Sequence, residues 1–275
     1  MKRGLLDPKN DVVFKALFGS VDSKHILKSF LKSILVLPEE DYEEIYIADT
    51  NSRITKVEDK LSVLDLKLKM KTGKIINIEI QIVNEKNLEN RIMYYSAGLI
   101  REQLKTGEEY KNLNRVINIT IINFTLRDKK TNYHHKAGLY YEDMELMTDL
   151  LEINILELPK VSKTIKSKLD VWMNFLKTRE KEELDVLVQK EPELEDAVIK
   201  LVELSEDETL RALAFYREKA LKDKNSQLLT AREEGLQEGM NRGRQELINN
   251  MLAKGLSVNE ISDLTGIDIH EIKIK

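Results

Sequence analysis

The 275-residue sequence contains no cysteine, which excludes disulfide staples and thiolate metal sites and is what a reducing compartment permits. Long apolar runs are missing too: nothing approaches the ~20 consecutive apolar residues of a membrane-spanning helix. The first residues, MKRGLLDPKNDVVF, reach Asp7, Pro8 and Lys9 before any apolar segment develops, so no signal peptide is expected. The expected location is cytoplasmic, with no membrane contact. Excess positive charge is also absent. The formal net charge is −4, so any surface for nucleic acid has to be local. What is present is 41% apolar and 33% charged residues, the balance of a folded chain with a charged surface rather than a disordered one.

Helical spacing comes first along the chain. Val12, Val13, Ala16 and Leu17, then Ile26, Leu27, Phe30, Leu31 and Ile34, predict helix over 11–35 with a break at Gly19-Ser20 and an end at Pro38. A strand is expected around 42–48, two more at 60–70 and 74–83, and a helix over 88–104 carrying Ile92, Tyr95, Leu99 and Ile100. Strands return at 115–126, 137–142 and 152–158. After Pro159 the composition changes to successive helices rich in Lys, Glu, Leu and Asp. The expected division is an α/β domain over 1–160 and an all-helical C-terminal region over 161–275.

The two strands KLSVLDLKLKM (60–70) and KIINIEIQI (74–82) carry the chemistry. Alternate side chains of a strand point to opposite faces. Leu64, Leu66, Leu68 and Met70 therefore share one face with Ile76, Ile78, Ile80 and Ile82; Asp65, Lys67 and Lys69 share the other with Asn77, Glu79 and Gln81. A hairpin closed by Lys71-Thr72-Gly73, with glycine supplying the positive φ, sets Leu66 opposite Ile78 and Asp65 opposite Glu79. A two-residue loop would mismatch both faces, whereas a slip of two residues would put Asp65 opposite Gln81, still beside Glu79. Facing carboxylates repel and call for compensation. Either a divalent cation such as Mg²⁺ supplies it, using carboxylates, waters and phosphate oxygens as ligands, or this is a solvated polar face on which Lys67 and Lys69 neutralise the acids.

At these residues the sequence resembles the PD-(D/E)XK nuclease superfamily, and within it the Rpn family of recombination-promoting nucleases, often labelled transposases. NDVVFKALFGS (10–20), the Asp65 strand followed by IEIQI (78–82), and RIMYYSAGLI (91–100) carry the likeness, with a weaker echo in AREEGLQEGMNRGRQE (231–246). The resemblance implies a restriction-endonuclease-like core, a mixed central β-sheet flanked by helices, and Mg²⁺-dependent cleavage of DNA, with Mn²⁺ as a possible substitute. It implies that Asp65 and Glu79 hold the metal, that the Ile80 carbonyl assists, and that Gln81 stands at the last position of the E-x-K element. Asp11 is carried as a further acidic or orienting residue, with a helix cap as its alternative role. Glutamine at position 81 departs from the lysine of the pattern. An ammonium can stabilise developing charge, whereas a neutral amide only positions a water by hydrogen bonds. Lys67, on the same face, is the expected substitute; its alternative is a plain surface lysine.

Tyr94 and Tyr95 read either as one phosphate-reaching and one packing residue or as core residues. The adjacent pair His134 and His135 points to opposite sides of a strand and is assigned no role. Gly235, Gly239 and Gly243 form one stripe of a helix, either a self-association seam giving a homodimer or an intrachain docking surface. At the end of the chain, Ser257 and Glu260 have capping-box spacing before a short helix broken at Gly266, a helix-turn-helix-like unit that serves either DNA contact or docking. The functional expectation is a metal-dependent DNA endonuclease; the rival is a protein that keeps the nuclease fold as a DNA- or protein-binding module.

Overall fold

The computed structural model describes residues 4–47, 66–84 and 86–272. Asp11–Phe18 (α1) begins at Asn10, whose side chain accepts the Val12 N–H, and buries Val12, Val13, Phe14, Leu17 and Phe18. It stops at Gly19, where a Cβ would lie 2.9 Å from Cδ1 of Leu66; glycine here lets the chain turn against the sheet. Lys24–Ile34 (α2) follows, burying Ile26, Leu27, Phe30, Leu31 and Ile34. The helical expectation over 11–35 and its break are thus both met.

The sheet has six strands: Ile45–Ile47 (β1), Leu66–Met70 (β2), Ile75–Gln81 (β3), Val116–Ile122 (β4), His134–Tyr140 (β5) and Leu146–Glu157 (β6). Their spatial order is β1-β2-β3-β4-β6-β5. The inner strands β3, β4 and β6 run parallel, while β1, β2 and β5 pair antiparallel on the flanks. Leu66 pairs with Ile78 and Leu68 with Ile76, and Gly73 closes the hairpin at φ 91°, as the hydrophobic pattern requires. Strands β5 and β6 begin earlier than their sequence pattern indicates. Their outer ends form an exposed ribbon, with Tyr140, Leu146 and Met147 all in solvent, so backbone pairing extends past the apolar alternation that marks a half-buried strand.

Leu88–Arg101 (α3) covers one sheet face, placing Leu88 and Ile92 against Val116, Ile122, Leu151, Ile153 and Ile155. The other face carries Ile76, Ile78, Ile80, Ile117, Ile119 and Ile121 into the main core. There they meet α1, α2, and the helices Lys168–Lys177 (α4), Lys181–Lys190 (α5) and Glu195–Glu206 (α6). Trp172 of α4 packs at 5.4 Å from the ring of Phe30 and 5.8 Å from that of Phe175.

The chain divides into two compact units, Met1–Lys219 and Ala220–Lys275. The division expected near residue 160 is therefore not where the units part: α4–α6 share the sheet's own core, and a change from mixed to helical composition does not mark a change of domain. The long helix Glu208–Ala253 (α7) passes from the first unit into the second. Within the second unit, Val258–Thr265 (α8) starts with the expected capping box, Ser257 and Glu260 exchanging bonds, and Gly266 ends it at φ 69°. Ile248, Ile261, Ile267 and Ile272 form its small core. No helix among the described residues is long and apolar enough to cross a membrane.

Candidate functional site

Strand β3 sends Ile76, Ile78 and Ile80 into the main core, so Asn77, Glu79 and Gln81 must point to the opposite face. That face is not solvated. Helix α3 lies over it, and Asn77, Glu79 and Gln81 are 3%, 1% and 7% exposed. A carboxylate with so little water needs a partner of opposite charge. Arg91, in the first turns of α3 beside the buried Ile92, provides it: Nη2 donates to Glu79 Oε1 at 2.7 Å and also to Gln81 Oε1. One guanidinium nitrogen thus gathers two oxygens, two residues apart on β3.

The polarity continues into β4, where Asn118 and Thr120 stand in register beside Asn77 and Glu79. Both are fully buried. The Thr120 hydroxyl donates to Asn118 Oδ1 at 3.0 Å, and Asn118 Nδ2 donates to Ser96 Oγ of α3 at 3.3 Å. This ladder fixes the height of α3 above the strands and hence the reach of Arg91.

Backbone direction completes the picture. Ile75 N–H bonds to Arg115 and Asn123 N–H bonds to the Gln81 carbonyl, so the odd-numbered residues of β3 turn their backbone groups toward β4. The Ile80 carbonyl consequently faces the β2 side. Asp65 lies outside the described residues; β2 as described begins at Leu66, paired with Ile78.

Two other expected residues sit elsewhere. Lys67, itself part-buried, reaches the exposed Glu102 at the far end of α3, at 3.0 Å. Asp11 accepts from Arg217 of α7 and from the Val12 N–H, so its described partners tie helices together, while the cap of α1 is Asn10. Tyr94 and Tyr95 are both exposed, 77% and 42%, which overturns the core reading of the pair. The glycines of α7 have open space where a Cβ would stand, and the helix around them is exposed.

A second buried carboxylate lies on the same sheet face at the end of β6. Glu157 accepts from the Leu126 N–H at 2.9 Å, Lys160 Nζ at 2.9 Å and His135 Nε2 at 2.7 Å. Burial pushes its carboxyl up, but these donors outweigh burial and hold it below the usual glutamate range. His134 points the other way, to Asn154 at 2.9 Å, and burial lowers its pKa. No sequence signal singled out Glu157 or Arg91, although Arg91 opens the RIMYYSAGLI segment; each is defined by a partner distant in sequence.

Among the described residues no group of three or more His, Asp or Glu side chains is placed to hold a metal ion. The donors at β3 are nonetheless of one chemical kind. The Glu79 carboxylate and Gln81 amide offer oxygen, and both already converge on a cation, the Arg91 guanidinium. Hard oxygen donors suit Mg²⁺ or Mn²⁺. A family model described as PD-(D/E)XK nuclease family transposase matches residues 8–231. The six-stranded mixed sheet with flanking helices fits the restriction-endonuclease-like fold of that family. No curated protein and no solved structure matches the chain.

Proposed function

Because this chain belongs to the PD-(D/E)XK nuclease family of transposases, we propose that it is a divalent-metal-dependent DNA endonuclease, of the recombination-promoting Rpn type, with its reaction centre at Glu79. The observation that carries this reading is Glu79 itself: a carboxylate 1% exposed, two residues before an amide, both oxygens converging on one positive group. A buried ion pair is by itself weak evidence of a stabilising role, and Glu79 differs from the other buried carboxylate, Glu157, in sharing its cation with the amide two residues on.

In this reading Asp65 and Glu79 hold Mg²⁺, with Mn²⁺ as substitute, and the Ile80 carbonyl contributes from the β2 side. A divalent cation bound there would supply Lewis-acid stabilisation of a phosphodiester and lower the pKa of a water, so that hydroxide is available as the nucleophile. The chain's own residues do the positioning. Gln81 offers its oxygen to Arg91, which turns its amide N–H groups the other way, as donors able to orient a water or a phosphate oxygen. In the hydrolysis a water oxygen bonds to phosphorus, the bond from phosphorus to the leaving oxygen breaks, and that oxygen takes up a proton. Asp11, carried as a possible orienting residue, is given a docking role through Arg217, and Lys67 a surface role through Glu102.

Supercoiled plasmid tests the reading. Wild-type protein is expected to nick or linearise it with Mg²⁺ or Mn²⁺ and not with EDTA, and Asp65→Ala to abolish cleavage. Metal-dependent cleavage that survives in Asp65→Ala would remove Asp65 from the site; DNA binding with no cleavage under any metal would make the protein a binding module.

A further inference from the structure

The glutamine at position 81 leaves the site without the ammonium that an E-x-K element would place there. Lys67 does not fill the gap, since its Nζ is engaged 3.0 Å from Glu102, and β2 pairs Lys67 with Asn77 rather than with Glu79. Arg91 does stand at the right place. Its Nη2 touches both Glu79 and Gln81, it comes from the start of α3 at the carboxyl end of β3, and its side chain keeps 19% exposure while Glu79 has 1%. A guanidinium stays protonated under all working conditions and presents several donors in a plane that matches two phosphate oxygens.

We propose that Arg91 supplies the positive charge that Gln81 lacks: the guanidinium, delivered from α3 instead of β3, neutralises Glu79 in the resting site and donates to a non-bridging oxygen of the scissile phosphate during cleavage. The arrangement separates two tasks that a lysine at position 81 would combine. Charge comes from the helix, and Gln81, its oxygen held by Arg91, keeps its amide donors for orienting the nucleophile. This inference rests on the nuclease reading above.

The test compares wild type, Arg91→Met and the double variant Q81K/R91M by plasmid cleavage at saturating Mg²⁺, and by Mn²⁺ titration followed by electron paramagnetic resonance without DNA. Loss of one charge-stabilising donor is expected to lower the kcat of Arg91→Met about 10²–10³-fold. Mn²⁺ binding should persist in that variant, since its change removes a competing cation and no ligand. Moving the charge back to the strand in Q81K/R91M should recover about tenfold or more over Arg91→Met, within the span attributed to one such donor. Arg91→Met cleaving like wild type, or a folded, Mn²⁺-binding double variant no better than Arg91→Met, would overturn the proposal and leave the nuclease reading standing. If Arg91→Met fails to fold, the double variant decides alone: cleavage within about a hundredfold of wild type supports the relocation of charge, and weaker cleavage refutes it. Wild type that neither binds Mn²⁺ nor cleaves would end the nuclease reading, and this inference with it.

Discussion

At the scale of single residues, two buried carboxylates on one sheet face are handled differently. Glu79 shares one arginine with an amide, whereas Glu157 is enclosed by a backbone N–H, a lysine and a histidine. In the proposed site the first arrangement would exchange its arginine for a metal ion; the second is a structural tie between β6, the start of β5 and the loop after β4. The tie has a pH signature. A carboxyl whose folded pKa lies below its unfolded value of ~4.3 contributes stability that is present above that value and lost as pH falls through the folded pKa. The direction at Glu157 is downward, so the stability gap between wild type and Glu157→Gln, measured by urea denaturation, should be open at neutral pH and narrow progressively below about pH 4.3. A gap that stays constant into acid would show that the carboxylate's charge is not what the donors stabilise.

Among the elements, the β2–β3 hairpin sets the register on which the site depends. Gly73 holds φ at 91°, and a Cβ there would come within 2.4 Å of Asn114 Oδ1. Gly73→Ala should therefore lower stability by more than about 1 kcal/mol, seen as a lower urea midpoint; an unchanged midpoint would mean the turn relaxes without cost. This hairpin was legible in the sequence because strict alternation leaves one register that keeps both faces matched, and Leu66 does pair with Ile78. The helices α1 and α2 were legible for the same reason at period 3.6. What alternation does not reveal is which polar face is covered. Asn77, Glu79 and Gln81 read equally well as solvated or buried, and only the packing of Leu88 and Ile92 against β4 and β6 decides it. Arg91 is set by that same long-range packing, so the nearer lysine, Lys67, looked the better source of charge. The exposed ends of β5 and β6 escaped notice because they bury nothing.

For the whole molecule, the change of composition near residue 160 is not where the compact units part. Helical sequence after residue 160 suggested a separate region, yet Trp172, Phe175, Leu184 and Leu201 fill the core beneath the sheet, and the compact unit runs to Lys219. Beyond it, α7 carries Leu229, Leu236, Met240 and Leu247, all exposed and all on one stripe at helical spacing. Exposed leucines repeated in this way are what a helix that pairs with a second helix presents, so this stripe is the place to test the homodimer expected from the sequence. Wild type should sediment as a dimer and Leu236→Asp as a monomer; a monomeric wild type would remove the homodimer.

One comparison bears on Glu79 most directly: initial rates of Mg²⁺-dependent plasmid cleavage by wild type and Glu79→Ala purified identically. A metal-holding carboxylate at the reaction centre predicts a loss beyond about a hundredfold, the upper end of what removing a mere outer-shell partner costs a metal site. Equal rates in the two proteins would contradict it and put the reaction centre elsewhere.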